Sequence, residues 1–177
     1  MRGEPPSDPI LTGCPIDHVG IAVRDTAAAL RLYAGLLGLR PEPTCVASDE
    51  NVKVTFLDGP NARLEILEPL PGDSAVARFL EKRGEGLHHL CLVVPDLART
   101  LERLANAGYQ LVDAQPRRNA RGNLLAFVHP KAANGVLIEL YQADSVAQRG
   151  ATGGWTNGSA NAGERREATG TPSGGTD

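Results

Sequence analysis

Two histidines and two glutamates stand at matching points of this 177-residue chain: His18 in IDHVGIAV, His89 in LHHLCLVV, Glu65 in RLEIL and Glu139 in VLIEL. Imidazole and carboxylate together form a donor set for Co²⁺, Mn²⁺, Ni²⁺, Fe²⁺ or Zn²⁺, with positions left open for water or substrate. Taken singly, each residue has an ordinary explanation. A histidine in a strand is usually hydrogen-bonded in the core, and a strand glutamate usually faces water. A carboxylate in the middle of an apolar strand is costly to bury unless it is paired or bound to a metal. Here that placement occurs twice, at equivalent positions, and each time a histidine accompanies it.

The equivalence comes from an internal repeat. IDHVGIAVRDTAAALRLY (16–33) aligns with LHHLCLVVPDLARTLERL (87–104), so that His18 meets His89 and Asp25 meets Asp96. VTFLDGPNARLEIL (54–67) aligns with LAFVHPKAANGVLIEL (125–140), so that Phe56 meets Phe127 and Glu65 meets Glu139. The histidines lie 71 residues apart and the glutamates are separated by nearly the same interval. One module has been used twice.

Each module must position its histidine and glutamate on one surface. In DHVGIAV the bulky Val19, Ile21 and Val23 alternate with His18, Gly20 and Ala22, a period of two that puts the two sets on opposite faces of a strand. Gly20 and Ala22 are small, as expected of a face that lines a cavity. Asp25 and Asp96 suit helix N-caps, and Gly38 and Gly108 suit helix C-termini. LDGPN and HPKAANG read as turns between antiparallel strands. Glu65 lies opposite Leu64 and Ile66, and Glu139 opposite Ile138 and Leu140. The fold class expected is α+β: two tandem βαβββ modules forming a curved mixed sheet around a metal cavity. His88 aligns with Asp17, and strict alternation places it on the face away from His89, as a structural residue or one that supports a ligand. Cys91 aligns with Gly20, so it should face the cavity, and reads as a small packing residue rather than a nucleophile; His129 reads as a turn residue.

The remaining composition narrows the function. A net charge of −3 lacks the basic stripe of a nucleic-acid binder, and no apolar run reaches membrane-spanning length. Cys14, Cys45 and Cys91 have no metal-type spacing, so a reduced, cytoplasmic protein is expected. Residues 1–13 are Pro-rich and read as a flexible lead-in. Residues 144–177 are rich in Gly, Ser, Thr and Asn and read as a disordered tail that contains the single tryptophan, Trp155. The folded unit is then 14–143, with module one at about 14–72 and module two at about 85–143.

These stretches resemble the vicinal oxygen chelate (glyoxalase-like) superfamily. More narrowly, LEILEPLPGDSAVARFLEKRGEGLHHLCLVV, PRRNARG and AFVHPKAANGVLIELYQ are similar to the methylmalonyl-CoA epimerase family, over about residues 15–142. The resemblance implies a divalent metal, cobalt first and Mn, Ni, Zn or Fe as alternatives, held by His18, Glu65, His89 and Glu139. It implies interconversion of (2R)- and (2S)-methylmalonyl-CoA, with an acyl-CoA as partner and a homodimer as assembly. Removing and returning a proton at the thioester α-carbon needs an acid–base group on each face, for which Glu139 is the first candidate and Glu65 the second. Some family members have glutamine where this chain has Glu65 and a glutamate where it has Val54, which cannot accept a proton. Glycine often stands at the place of Asn119, a residue type that tolerates positive φ. Arg117, Arg118 and Arg121 could meet CoA phosphates or form a solvated loop. The rival readings are a glyoxalase I-type isomerase with the same four ligands, an extradiol dioxygenase that leaves Glu65 unexplained, and a metal-free small-molecule-binding protein of this fold.

Overall fold

The computed structural model describes residues 14–119 and 121–143; the expectations for the lead-in and the tail fall outside these residues. The first half runs β1 (Ile16–Ala22), α1 (Thr26–Leu30) with a π-helical continuation (Arg31–Leu36), β2 (Arg40–Pro41), β3 (Cys45–Ala47), β4 (Val52–Asp58) and β5 (Arg63–Pro69). The second runs β6 (Gly86–Val94), α3 (Leu97–Asn106), β7 (Arg117–Arg118), β8 (Leu124–Val128) and β9 (Leu137–Gln142). Asp25 caps α1 by accepting from the Ala28 amide at 3.1 Å, and Asp96 caps α3 by accepting from Arg99 at 2.9 Å. Gly38 and Gly108 take φ values of 74° and 81° where the chain leaves each helical segment, a region L-residues avoid.

All these strands join one sheet in the order β2-β4-β5-β1-β6-β9-β8-β7, with β3 also paired to β4. β1 runs parallel to β5 and β6 parallel to β9, while β1 and β6 meet antiparallel at the junction of the modules. At that junction His18 faces Cys91 and Gly20 faces His89. Because His18 is the counterpart of His89, and Gly20 of Cys91, the module repeat exchanges these two pairs. The local two-fold axis therefore passes between them.

The alternation read from the sequence decides which face packs on what. Val23, Leu57 and Ile66 are buried with Ile21, Leu30 and Tyr33 on the α1 side. Val94, Ala126 and Leu140 are buried with Leu97 and Leu101 of α3. Each fully buried Leu of α3 stabilises its docking by about 2 kcal/mol relative to exposure. The segment joining the modules contains a helix the sequence reading did not place, α2 (Ala75–Arg83). Its signals are present in the sequence: Ser74 accepts from the Ala77 amide at 3.0 Å as N-cap, and Gly84 ends the helix at φ 76°. Val76 and Leu80 of α2 pack with Ala22, Val52, Phe56 and Leu67. Ala22 is thus small because it lies in this cluster, and it does not line a cavity as expected.

Candidate active site

The four residues picked out by the repeat meet at the module junction. His18 Nε2 lies 3.0 Å from His89 Nε2, 3.1 Å from Glu139 Oε2 and 3.4 Å from Glu65 Oε2. His89 Nε2 lies 3.3 Å from Glu65 Oε2 and 3.2 Å from Glu139 Oε2. All four residues are buried, with at most 8% of their surface exposed. Four polar heads therefore converge on one point inside the sheet, one His and one Glu from each module. Phe56 stands beside Glu65 and Phe127 beside Glu139 in the strand registers, so an aromatic ring walls each carboxylate.

Electrostatics follows from that crowding. Burial works against a charge on His89, but Glu139 and Glu65 outweigh it and lift its pKa to about 9. Burial opposes charge on His18 as well, and Glu65, Asp17 and Glu139 raise it well above the usual imidazole value. Desolvation should raise the two carboxylates, yet the imidazoles hold both below the ordinary range. Glu65 and Glu139 are thus anionic in a buried place, which requires cationic character in the middle of the cluster.

Gly20 has a stronger reason to be glycine than an empty cavity. A Cβ on Gly20 would fall inside the His89 imidazole, which lies directly over it. The bulkless position on β1 holds the ring of β6.

Two β-bulges correct the expectation for His88. The β1–β6 register shifts between Ile16 and His18 and again between Gly20 and Ile21, so Asp17 and His88 are the extra residues. These are equivalent positions of the repeat, as the alignment had it. A bulge breaks the period of two, however, and neither side chain turns away from the site. Asp17 Oδ2 lies 2.7 Å from His18 Nδ1, with Arg63 behind it. His88 Nδ1 lies 3.0 Å from His89 Nδ1, its ring packs edge-on against Phe79, and it lines the cavity. Burial, then the charge at His89, pushes the His88 pKa down to about 4, so it is a neutral acceptor. Each central histidine thus has its outer nitrogen held by its own preceding residue.

Cys91 is fully buried with Leu125 and Tyr141 and does not line the cavity as expected; burial raises its thiol pKa, in keeping with a packing residue. His129 accepts from the Lys131 amide at 3.1 Å in the turn before β9.

Glu65, His89 and Glu139 form part of the wall of a cavity of about 660 Å³, with the fully buried His18 behind them; the wall also carries Val54, Phe56, Phe127 and Tyr141. Val54, as expected, presents no acid–base group there. The three arginines of PRRNARG separate. Arg117 bonds Glu50 at 3.0 Å, Arg118 donates to the Gly122 carbonyl at 2.7 Å, and Arg121 turns onto the cavity-wall ring of Phe56. Asn119 does not take positive φ; Gly122 does, at 81°. Asn119 instead accepts from the amides of Arg121 and Asn123 at 3.1 and 3.0 Å and donates to the Tyr141 hydroxyl at 3.3 Å. Tyr141 is a site residue the sequence reading missed, and Arg121, named there only as one of three arginines that could meet CoA phosphates, is the one that reaches the Phe56 ring. Tyr141 was findable two residues beyond Glu139 on the same strand face, whereas Arg121 had no counterpart in the repeat.

Residues 17–127 match the model of the glyoxalase/bleomycin resistance protein/dioxygenase superfamily. The ethylmalonyl-CoA/methylmalonyl-CoA epimerase of Cereibacter sphaeroides is 39% identical over 129 residues, covering 72% of this chain and 96% of that protein. The chain belongs to the methylmalonyl-CoA epimerase family of this superfamily. Its fold agrees. The methylmalonyl-CoA epimerase of Mycobacterium tuberculosis superposes with a TM-score of 0.68 at 36% identity, over 80% of this chain and 93% of that one. A methylmalonyl-CoA epimerase solved in complex with methylmalonyl-CoA and NH₄⁺ gives 0.67 at 34% identity, over 73% and 94%.

Proposed function

We propose that this protein interconverts (2R)- and (2S)-methylmalonyl-CoA, using a divalent metal held by His18, Glu65, His89 and Glu139. The observation that carries the reading is the convergence of two buried imidazoles 3.0 Å apart with two buried, anionic carboxylates, each carboxylate within 3.4 Å of both imidazoles. The donor set fits a first-row metal, and the carboxylate of Asp17 on His18 Nδ1 is the outer-shell contact that fixes a ligating imidazole. Cobalt is our first choice of metal, with Mn, Ni, Zn and Fe as alternatives. When bound, such an ion supplies Lewis acidity that stabilises negative charge on a thioester oxygen.

The chain's own residues supply the proton transfers and the shape. Glu139 and Glu65 come from opposite modules, so a substrate α-carbon between them presents one face to each. Glu139 removes the proton on one face, and Glu65 serves the other, where Val54 cannot. Both carboxylates are deprotonated at neutral pH, as a base must be. Phe56, Val54 and Phe127 provide a wall that excludes water from the reacting carbon. As further partner we propose a second copy of this chain, for which the exposed Leu32, Leu36 and Leu37 offer apolar surface. The three free cysteines accord with a cytoplasmic setting.

The test is to incubate the metal-loaded protein with methylmalonyl-CoA in D₂O and follow the α-proton by NMR. Exchange with inversion, sensitive to a chelator, is expected. No exchange above the buffer rate would exclude the activity.

A further inference from the structure

The internal repeat should give the two central histidines equivalent support, and by position it does. Asp17 precedes His18 and His88 precedes His89, and each contacts the outer nitrogen of its histidine. By charge it does not. Asp17 brings a carboxylate, whereas His88 accepts through the bare nitrogen of a neutral imidazole. A carboxylate behind a ligating imidazole raises the basicity of that ligand. Left alone, Asp17 would make His18 a more electron-rich donor than His89.

The residue that offsets this charge stands at a matching point of the repeat. Across the parallel pairings His18 faces Arg63 on β5, and His89 faces Leu137 on β9. Arg63 Nη2 donates to Asp17 Oδ2, the same oxygen that lies 2.7 Å from His18 Nδ1. The guanidinium carbon sits 4.5 Å from the centre of the Phe56 ring, and Phe56 lies edge-on to His18. Arg63 Nη1 lies 3.7 Å from Glu42, so the guanidinium is held on two sides. The Arg63 and Asp17 side chains are only 18% and 8% exposed, and water screens so buried a pair weakly. Module one therefore carries Asp and Arg where module two carries His and Leu. Both pairs are neutral in sum.

We propose that Arg63 is a positioning residue of the metal centre: through Asp17 it keeps His18 a neutral imidazole donor matched to His89. The inference rests on the metal-site reading above and adds the residue that sets how strongly one ligand donates. A more basic His18 would hold an ion more tightly and leave it less able to stabilise charge on a thioester oxygen. The plainer alternative is a guanidinium that only keeps Asp17 in place, and the two differ in the sign of their effect on metal binding.

Zn²⁺ affinity is measured at one fixed pH, by competition with a chelating dye, for the parent, Arg63→Met, Asp17→Asn and the double variant. Arg63→Met leaves the Asp17 charge unopposed and should raise affinity by about tenfold. Asp17→Asn keeps an acceptor for His18 but leaves the Arg63 charge unopposed, so affinity should fall by about the same factor. The double variant restores neutrality and should return to the parent value. In the zinc-loaded proteins, the proton resonance of His18 Nδ1 should move downfield in Arg63→Met and part of the way back in Arg63→Lys. Weaker binding in Arg63→Met, as in Asp17→Asn, would show an arginine that only holds Asp17 and would overturn the proposal. Unchanged affinity in both single variants would overturn it as well, while leaving the metal site intact. If Arg63→Met does not fold, Asp17→Asn decides alone, because a replacement of the same shape leaves affinity unchanged unless charge matters. A folded parent that binds no Zn²⁺ overturns the metal-site reading and this inference with it.

Discussion

The imidazole of His89 occupies the space that a side chain on Gly20 would fill, and the two residues face each other across the β1–β6 pairing. The placement of one central histidine thus depends on the absence of a single methyl group on the neighbouring strand. Gly20→Ala must move the ring or the strand. Strand backbone is fixed by β5 on the other side of β1, so the ring yields. We expect the variant to keep its fold by circular dichroism but to lose about 100-fold or more in metal affinity, since even outer-shell changes cost 10- to 100-fold. Metal content after dialysis checks this. A Gly20→Ala protein with full metal and full turnover would refute the placement of His89.

Asp17 acts on the other histidine. Its carboxylate holds His18 Nδ1 at 2.7 Å and leaves Nε2 aimed at the cluster. Asp17→Ala removes this orientation and leaves Arg63 without its closest carboxylate. Metal affinity should fall by about 10- to 100-fold. Competition against a chelating dye gives the number, and affinity within twofold of the parent would show that His18 is oriented by packing alone.

Much of this site was legible because the module is repeated. A lone His18 or Glu65 has a bland explanation, but the pairs His18/His89 and Glu65/Glu139 do not, and alternation then assigned all four to one face. The same alternation failed at His88, since a bulge shifts the register by one residue and turns the side chain back to the cavity. Nothing in a period of two signals where a bulge falls. Arg121 was named with Arg117 and Arg118, but what separates it from them was hidden for another reason. Its partners Phe56 and Cys45 belong to the opposite module, and contact between them depends on how far the sheet curls. Glu50 and Arg117 meet across the same gap, 67 positions apart in the chain.

Glu139 and Glu65 should separate by stereochemistry. Glutamine preserves a ligating oxygen but cannot accept a proton, so Glu139→Gln and Glu65→Gln should both retain metal. Each should lower epimerisation by about 100-fold or more, the usual scale for a lost acid–base group. Deuterium wash-in distinguishes them. One variant should lose α-proton exchange from the (2R) epimer and the other from the (2S) epimer, as carboxylates on opposite faces require. Loss of exchange from the same epimer in both would place the two carboxylates on one face. Full activity of Glu139→Gln would remove it from the reaction.

His88 predicts a pH dependence of stability. Its nitrogen accepts from His89 Nδ1–H when His89 directs Nε2 to the cluster, so a proton on His88 would set N–H against N–H. The folded pKa is held at about 4, below the ordinary value of 6.5, first by burial and then by the charge at His89. The unfolded chain therefore takes up this proton at higher pH than the folded one. The stabilising contribution is complete above about pH 6.5 and is lost as pH falls towards 4, on the order of 3 kcal/mol in all. His88→Gln cannot titrate and lacks this loss. Urea unfolding at pH 7.5 and pH 4.5 should show the parent losing more stability than the variant, with the difference opening only below pH 6.5. Parallel stability curves for the two proteins over that range would show that His88 titrates normally in the folded state.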